Sequence, residues 1–481
     1  MIKGLSKFLL YSIILLIILI FYLSFFGIKT KVFNDKIRDE VLKINKSIKL
    51  ELKDIEFLLQ PTNFSVNIKT VAPEIFLNNN QLKLAQVKTN ISLKSFINKK
   101  FSIDNVNIST KLIKLKDVIS LLRSFKNSPQ LMIFDTFVKD GLLSADIILN
   151  FNGDGKIKSD YQINGYIKNT NLGLSSKHNI ENLNLFFKIN EQKYLLESLE
   201  AKFNKVKFYS ESIQLKKNKD LFLISGDLKN KKNDSNSKLF KELLKKTIKN
   251  VEIKNIDLSS KNNFSFTVNK KFKFDNLKVQ SIIELNEIII NKKDLDIKSY
   301  LPSFNEEIKI QNHKININYK KNKFDIKGNG NILLEDKIDN ISYLISKNKN
   351  TVSFDSKINI KNNSLIIDFL DYEKKEGLNS LILIKGNYKK NKQLRFDLIS
   401  LKEKNNKILI KGLDLNKNFK IISVKKANIN YTNNHKVLNN FKLKKDKSIF
   451  IIEGESFDAS RIINNIMDSD EESSLFFDNL N

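Results

Sequence analysis

From Ile48 to Ile452, apolar and polar residues alternate with a period of two in one short segment after another. Ile48, Leu50 and Leu52 begin the pattern, and Phe64, Val66 and Ile68 alternate with Ser65 and Asn67. Ile75 with Leu77, Leu82 with Leu84, Ile91 with Leu93, and Phe101 with Ile103 and Val106 continue it. Successive side chains of a strand point to opposite faces, so each segment carries one apolar and one wet face. Asn, Lys, Asp and Gly fill the links, as in a meander of antiparallel hairpins. From Val251 to Ile452 the pattern has few helical breaks, with pairs such as Phe272/Phe274 within it. A compact sandwich closes sooner.

Three stretches switch to helical spacing. Phe33, Ile37, Val41 and Ile44 form the first, with Asn34 or Asp35 as caps. Leu115, Val118, Ile119, Leu122 and Phe125 form the second, bounded by Asn127, Ser128 and Pro129, and strands resume at Leu142. Leu239, Phe240, Leu243, Leu244 and Ile248 form the third, after the polar run 229–237. Strands repeatedly end in apolar-x-Gly, at Gly165, Gly226, Gly328, Gly386, Gly412 and Gly454. Glycine there permits a bulge or bend in a long sheet.

The segment Phe8–Phe26 contains no charged residue. As a helix it roughly matches the ~30 Å hydrocarbon core of a bilayer. The apolar core is long and no small-x-small site follows Gly27, so it reads as an uncleaved anchor rather than a signal peptide. Phe8, Leu15, Ile18 and Phe26 are its anchoring residues. Lysines flank both ends, but long domains translocate largely regardless of local charge. The expectation is a short cytoplasmic N-terminus and a large domain across the membrane.

The net charge of +30 is spread along the chain, and arginine is scarce. That pattern reads as a Lys-, Asn- and Ile-rich composition rather than a nucleic-acid surface, since bidentate base readout relies on arginine. No nucleic-acid partner is expected. The absence of cysteine excludes disulfides and thiol chemistry. His178, His313 and His435 lie far apart in polar segments and read as surface residues, without metal-ligand spacing. No nucleophile elbow or phosphate loop is present, and Gly153–Gly155 and Gly328–Gly330 read as turns. The acidic run Asp468–Glu472 reads as a solvated segment. The chain is expected to have no catalytic residues, metal site or cofactor, and not to be an enzyme.

A long sheet with one apolar face must close over that face or curl into a trough. Roughly 20–25 strands spaced ~4.8 Å apart make a trough on the order of 100 Å long. Thirty-five Phe and no Trp suit an apolar lining without indole donors to satisfy. Ile308, Ile310, Ile315, Ile317, Phe324, Ile326, Ile358 and Ile360 are the candidate lining residues. The pattern fits an open trough and a closed dry core equally.

The order of anchor, short helix, KLELKDIEF (residues 49–57), PEIFLNNNQLKLAQVKTNISLKSF (73–96) and FSIDNVNIST (101–110) resembles the bacterial AsmA-like superfamily. That group includes the AsmA, TamB and YhdP types, and the N-terminal layout is most similar to the YhdP type. FIIEGESFDASRII (450–463) resembles a strand–Gly–Phe-Asp–helix element of YhdP-type members. The chain is much shorter than those members usually are, which fits a short member, one segment of a split protein or a truncated reading frame.

The resemblance implies an inner-membrane anchor and a periplasmic β-groove that carries phospholipid acyl chains toward the outer membrane. The expected fold is mainly β: a transmembrane helix, then a long, curled antiparallel sheet with a few short amphipathic helices. Expected divisions are 1–28 (anchor), 29–235 (first groove segment), 236–457 (second groove segment) and 458–481 (short helix and acidic end). A different reading makes the β-domain an envelope scaffold, or an assembly factor that pairs edge strands with outer-membrane protein precursors or envelope partners.

Overall fold

The computed structural model describes residues 2–467 except 45, 78–79, 99–102, 126–127, 219–220, 233–237, 248–251, 270, 272, 292–299, 302–303, 305–306, 335–336, 390–392, 417–420 and 447–448. Phe101, Ile248, Val251, Phe272 and the acidic run Asp468–Glu472, all singled out in the sequence, lie outside the described residues. The chain is mainly β, and among the described residues pairing gathers 26 strands into one antiparallel sheet. Contacts divide the chain into two compact units, residues 1–226 with 268–273, and residues 227–267 with 274–481.

The first unit opens with helix α1 (Ile2–Phe25). Its window Ser6–Phe25 has mean hydropathy 2.8 and none of it is buried, so the helix is long and apolar enough to cross a membrane. Gly27, at φ +64°, stops it, and the N–H groups of Phe26 and Gly27 both reach the Tyr22 carbonyl. Glycine enters that left-handed conformation without the Cβ penalty. Strand β1 (Ile28–Thr30) follows, then α2 (Asn34–Ile44), β2 (Ile48–Glu51), β3 (Ile55–Gln60), β4 (Ser65–Val71), β5 (Glu74–Leu77) and β6 (Asn80–Ser92). After α3 (Leu93–Ile97) come β7 (Ile103–Thr110), β8 (Ile113–Lys114), α4 (Leu115–Phe125), α5 (Pro129–Phe137) and β9 (Val138–Asn150). The unit continues through β10 (Gln162–Ser175), β11 (His178–Ile189), β12 (Lys193–Phe203), β13 (Val206–Asn218) and into β14 (Leu221–Asn230).

Its ladder runs β1–β3–β4–β6–β7–β9–β10–β11–β12–β13, antiparallel throughout. A side branch, β2–β5, joins the first residues of β6. Ala145, Leu185 and Phe187 are the buried centre of this unit's apolar face, with Ile147, Ile163 and Leu196 packed around them.

The second unit contains α6 (Lys238–Thr247), β15 (Glu252–Asn269), β16 (Phe274–Asn291), β17 (Glu307–Lys320), β18 (Lys323–Leu333), β19 (Ile338–Asn348) and β20 (Thr351–Ile360). A small ladder, β21 (Leu365–Ile367) with β22 (Tyr372–Lys374), flanks a single 3-10 turn at Asp368–Leu370. Strands β23 (Ser380–Lys389), β24 (Gln393–Glu403), β25 (Asn406–Leu415), β26 (Ile421–Thr432), β27 (Leu438–Asp446) and β28 (Ile449–Ser456), then α7 (Ser460–Met467), complete it. From β16 to β20 and from β23 to β28, each strand pairs with the next, and β20 pairs with β23. Among the described residues β28 pairs only with β27, so the sheet ends there without closing.

Several sequence expectations are corrected. Asn34 is no cap: its side-chain amide donates to the carbonyls of Leu52 (3.3 Å) and Lys53 (2.8 Å), tying α2 to the β2–β3 link. Leu82 to Ile91 is one strand rather than two, and Leu93 starts a helical turn. Ser128 and Pro129 do not only stop α4. They start α5, with Ser128 Oγ accepting from the Leu131 N–H (3.3 Å) and Pro129 in the first turn, where its missing donor costs nothing. Strand β9 therefore begins at Val138, ahead of Leu142. The six glycines lie inside strands rather than at their ends.

Candidate functional site

The apolar face of the second unit is covered in two places. Where Ile253, Ile256, Leu285 and Ile288 are buried, Phe240 and Leu244 of α6 pack on them. Over β24–β27, the β21–β22 ladder and its turn lie on the sheet, burying Leu365, Leu370 and Tyr372 against Leu401, Ile408 and Tyr431. Leu301 and Phe304 join the same cluster.

Polar groups fix this plug. The buried Tyr372 hydroxyl donates to Glu403 Oε2 (2.8 Å), and burial beside that carboxylate pushes its pKa up strongly. Tyr431 donates to the Leu370 carbonyl (2.6 Å). Lys374, fully buried, donates to the carbonyls of Lys361 and Asn363, and desolvation lowers its pKa. Asp339 accepts from the backbone N–H groups of Lys361 and Asn362 in the same loop.

Between the two covers lie β18, β19 and β20, which contribute no residue to either buried cluster. Register sets one row of direct cross-strand partners here: Ile317, Ile326, Ile345 and Phe354, then Gly386 of β23. Ile341 and Ile358 pair in a parallel row. These isoleucines and Phe354 are half-buried and belong to neither of the two buried clusters. The opposite face is wet: Lys385 pairs with Asp355 (2.9 Å), and Asn340 donates to Asn331 (2.8 Å).

The predicted lining residues divide accordingly. Ile308 packs against the plugged cluster, and Ile310 and Ile315 pack against the patch under α6. Ile360 is buried, at 4% exposure. Ile317, Phe324, Ile326 and Ile358 lie half-buried outside both clusters. Ile310 and Ile315 are an odd number of residues apart yet face the same way. A bulge in the β17–β18 ladder between Gln311 and Lys314, with Asn312 at φ +52°, restores the phase.

Glycines in this floor make room for rings. Phe354 stands opposite Gly386, and Tyr343 opposite Gly328, where a side chain on the glycine would collide with the ring. His313 likewise fills the space above Gly330. It is not a surface residue: it is 2% exposed, its Nε2 lies 3.0 Å from the Asn331 carbonyl, and burial lowers its pKa. His178 is half-buried beside Phe203, and His435 is exposed near Asp371. Sequence periodicity missed the His313 position because its flanking Asn312 and Lys314 point to the wet side. Gly330 at the matching place across the hairpin was the available signal.

One set of strand ends is basic, with Lys347 on the apolar face and Lys320, Lys323 and Lys389 on the wet one. Lys320 and Lys323 are register partners at the β17–β18 hairpin, and Lys347 Nζ lies 6.0 Å from the Phe324 ring centre. Lys389 pairs with Thr351 at the same strand end. A cavity of ≈ 610 Å³ lies at that strand end, with Gln280, Asn318, Asp325, Lys320 and Lys323 of the wet-face rows in its lining.

At the other end of the chain, α1 exposes the anchor residues Phe8, Leu15 and Ile18 at 60–72%, and Phe26 lies just past its C-terminus, stacked on Tyr22. No family model, curated protein or solved structure matches the chain.

Proposed function

We propose that the protein is a membrane-anchored carrier of phospholipid acyl chains, of the AsmA-like type, held in the bacterial inner membrane with its β-units in the periplasm. Lipid would pass toward the outer membrane by shielding rather than by chemistry, with no cofactor. The observation that carries this reading is the half-buried apolar row Ile317–Ile326–Ile345–Phe354, outside both buried clusters, with Lys347 beside Phe324 at its end. Covering acyl carbons stabilises them by ~0.8 kcal/mol per CH₂, so even partial cover lowers the barrier to leaving a bilayer. Lysine ammonium groups at the rim suit a phosphate headgroup left in water.

The test is mass spectrometry of lipid retained by the gently purified full chain. Phospholipid retained by the parent and by Leu344→Asp, whose side chain is on the wet face, but lost from Ile326→Asp at unchanged circular dichroism, supports the reading. A folded parent that retains no phospholipid sinks it.

The second reading, an envelope scaffold or assembly factor, draws on the β28 edge. Ile449 and Ile452 are exposed there, and β28 has one ladder partner among the described residues. An added strand from an envelope protein would pair with that edge. Protection of the β28 amides from exchange by such a protein, with no lipid retained, would favour it.

A further inference from the structure

Register within the first unit ties particular turns to the end of the sheet from which α1 leaves. Ile28, directly after α1, pairs with Phe57, and Gly27 lies against Phe57 and Leu58. Strand β3 then runs on to Gln60, so its C-terminal end is the α1 end. Gln60 pairs with Ser65, and Ser65 pairs with Ser92. The β3–β4 turn and the start of α3 therefore share that end, and the Leu93 N–H donates to the Phe64 carbonyl (3.0 Å) to join them.

Two large apolar side chains point outward from these turns. Phe64 is 53% exposed and Ile97 is 67% exposed. Phe64 also has φ +46°, a conformation that is costly for a bulky residue. That backbone closes the turn Pro61–Asn63, with the Phe64 N–H donating to the Pro61 carbonyl (3.2 Å), but the exposed ring takes no part in it. Exposed Lys94 is on α3 with Ile97, next to the Leu93 amide that meets Phe64, a cation close in the fold to an exposed aromatic as at a membrane interface. The α4–α5 hairpin lies at the other strand end: Ile113, just before α4, pairs with Leu143, and Thr110 pairs with Leu84, far along β6 from Ser92.

We infer that Phe64 and Ile97 rest in the interface of the same bilayer that takes α1, so that the first unit stands on the membrane by one set of strand ends. The inference rests on α1 spanning a bilayer but not on lipid carriage. The occupant is the bilayer surface, with Lys94 favouring anionic headgroups.

The chain has no tryptophan, so one substitution supplies a single fluorescent reporter. The full chain is reconstituted in phosphatidylcholine–phosphatidylglycerol vesicles with plain or brominated acyl chains. Leu15→Trp reports on α1, Phe64→Trp and Ile97→Trp on the proposed contact, and Phe134→Trp, 58% exposed on α5, on the far end. Blue-shifted emission and quenching by brominated lipid at residues 15, 64 and 97, but not at 134, are expected. Quenching at 15 without quenching at 64 and 97 overturns the inference and leaves the anchor standing. Quenching at 134 as well overturns it in favour of a sheet lying along the surface. No quenching at 15 removes the anchor and the inference together.

Discussion

Phe354 occupies the place of a side chain at Gly386: the two are direct register partners, and a Cβ on Gly386 would stand 2.7 Å from Phe354 Cζ. The same pairing recurs at Gly165 with Phe187 and at Gly454 with Phe441. A valine at 386 has to displace the ring and also shift the backbone, because its Cβ would stand 2.2 Å from the Arg395 carbonyl oxygen. Gly386→Val is expected to destabilise the second unit by about 1–3 kcal/mol, read as a lowered thermal midpoint. An unchanged midpoint would mean that both the ring and the β24 backbone give way at little cost.

His313 gives the second unit an acid limit. Burial lowers its pKa below the ordinary 6.5, so the unfolded chain binds that proton more readily than the folded one. The stability carried by neutral His313 is present above pH 6.5 and is lost as pH falls below it. His313→Gln is expected to flatten the decline of thermal midpoint between neutral and mildly acid buffers. Parallel declines in the two proteins would assign the effect to other groups.

Tyr372→Phe removes the donor to Glu403 and leaves Asn406 Nδ2, at 3.0 Å, as the remaining partner of that oxygen. An expected loss of about 1–3 kcal/mol follows from a buried acceptor deprived of a donor. Hydrogen exchange locates the effect: amides of β21 and β22 are expected to lose protection first, ahead of those in β18 and β19.

Ser128→Ala tests whether α5 depends on its cap. The loss is expected to be about 1 kcal/mol, seen as faster exchange of the α5 amides with α4 unchanged.

How far the sequence carried depends on whether a feature is local. Helices α2, α4 and α6 and the alternation of the strands are visible residue by residue because period alone decides them, and α1 because its apolar run is unbroken by charge. Helix α5 escaped because Ser128-Pro129 serves equally as a stop and a start. The β21–β22 plug escaped because Leu365-Ile366-Ile367 has no alternation and reads as one more strand. Nothing in the order of residues says that it folds back over β24–β27. The lining residues were chosen by period, which gives the face but not its cover, so Ile326 and Ile310 looked alike until α6 was placed.

The pairing of each strand from β16 to β20 and from β23 to β28 with its nearest neighbour along the chain has a kinetic consequence. Apart from the longer β16–β17 link, each hairpin closes a short loop, so little entropy is lost before contacts repay it. A chain delivered N-terminus first can add one strand at a time to a finished edge, without waiting for distant residues. Such assembly suits a protein that folds while it is still emerging, and at every stage the newest strand is the one open to an intruder.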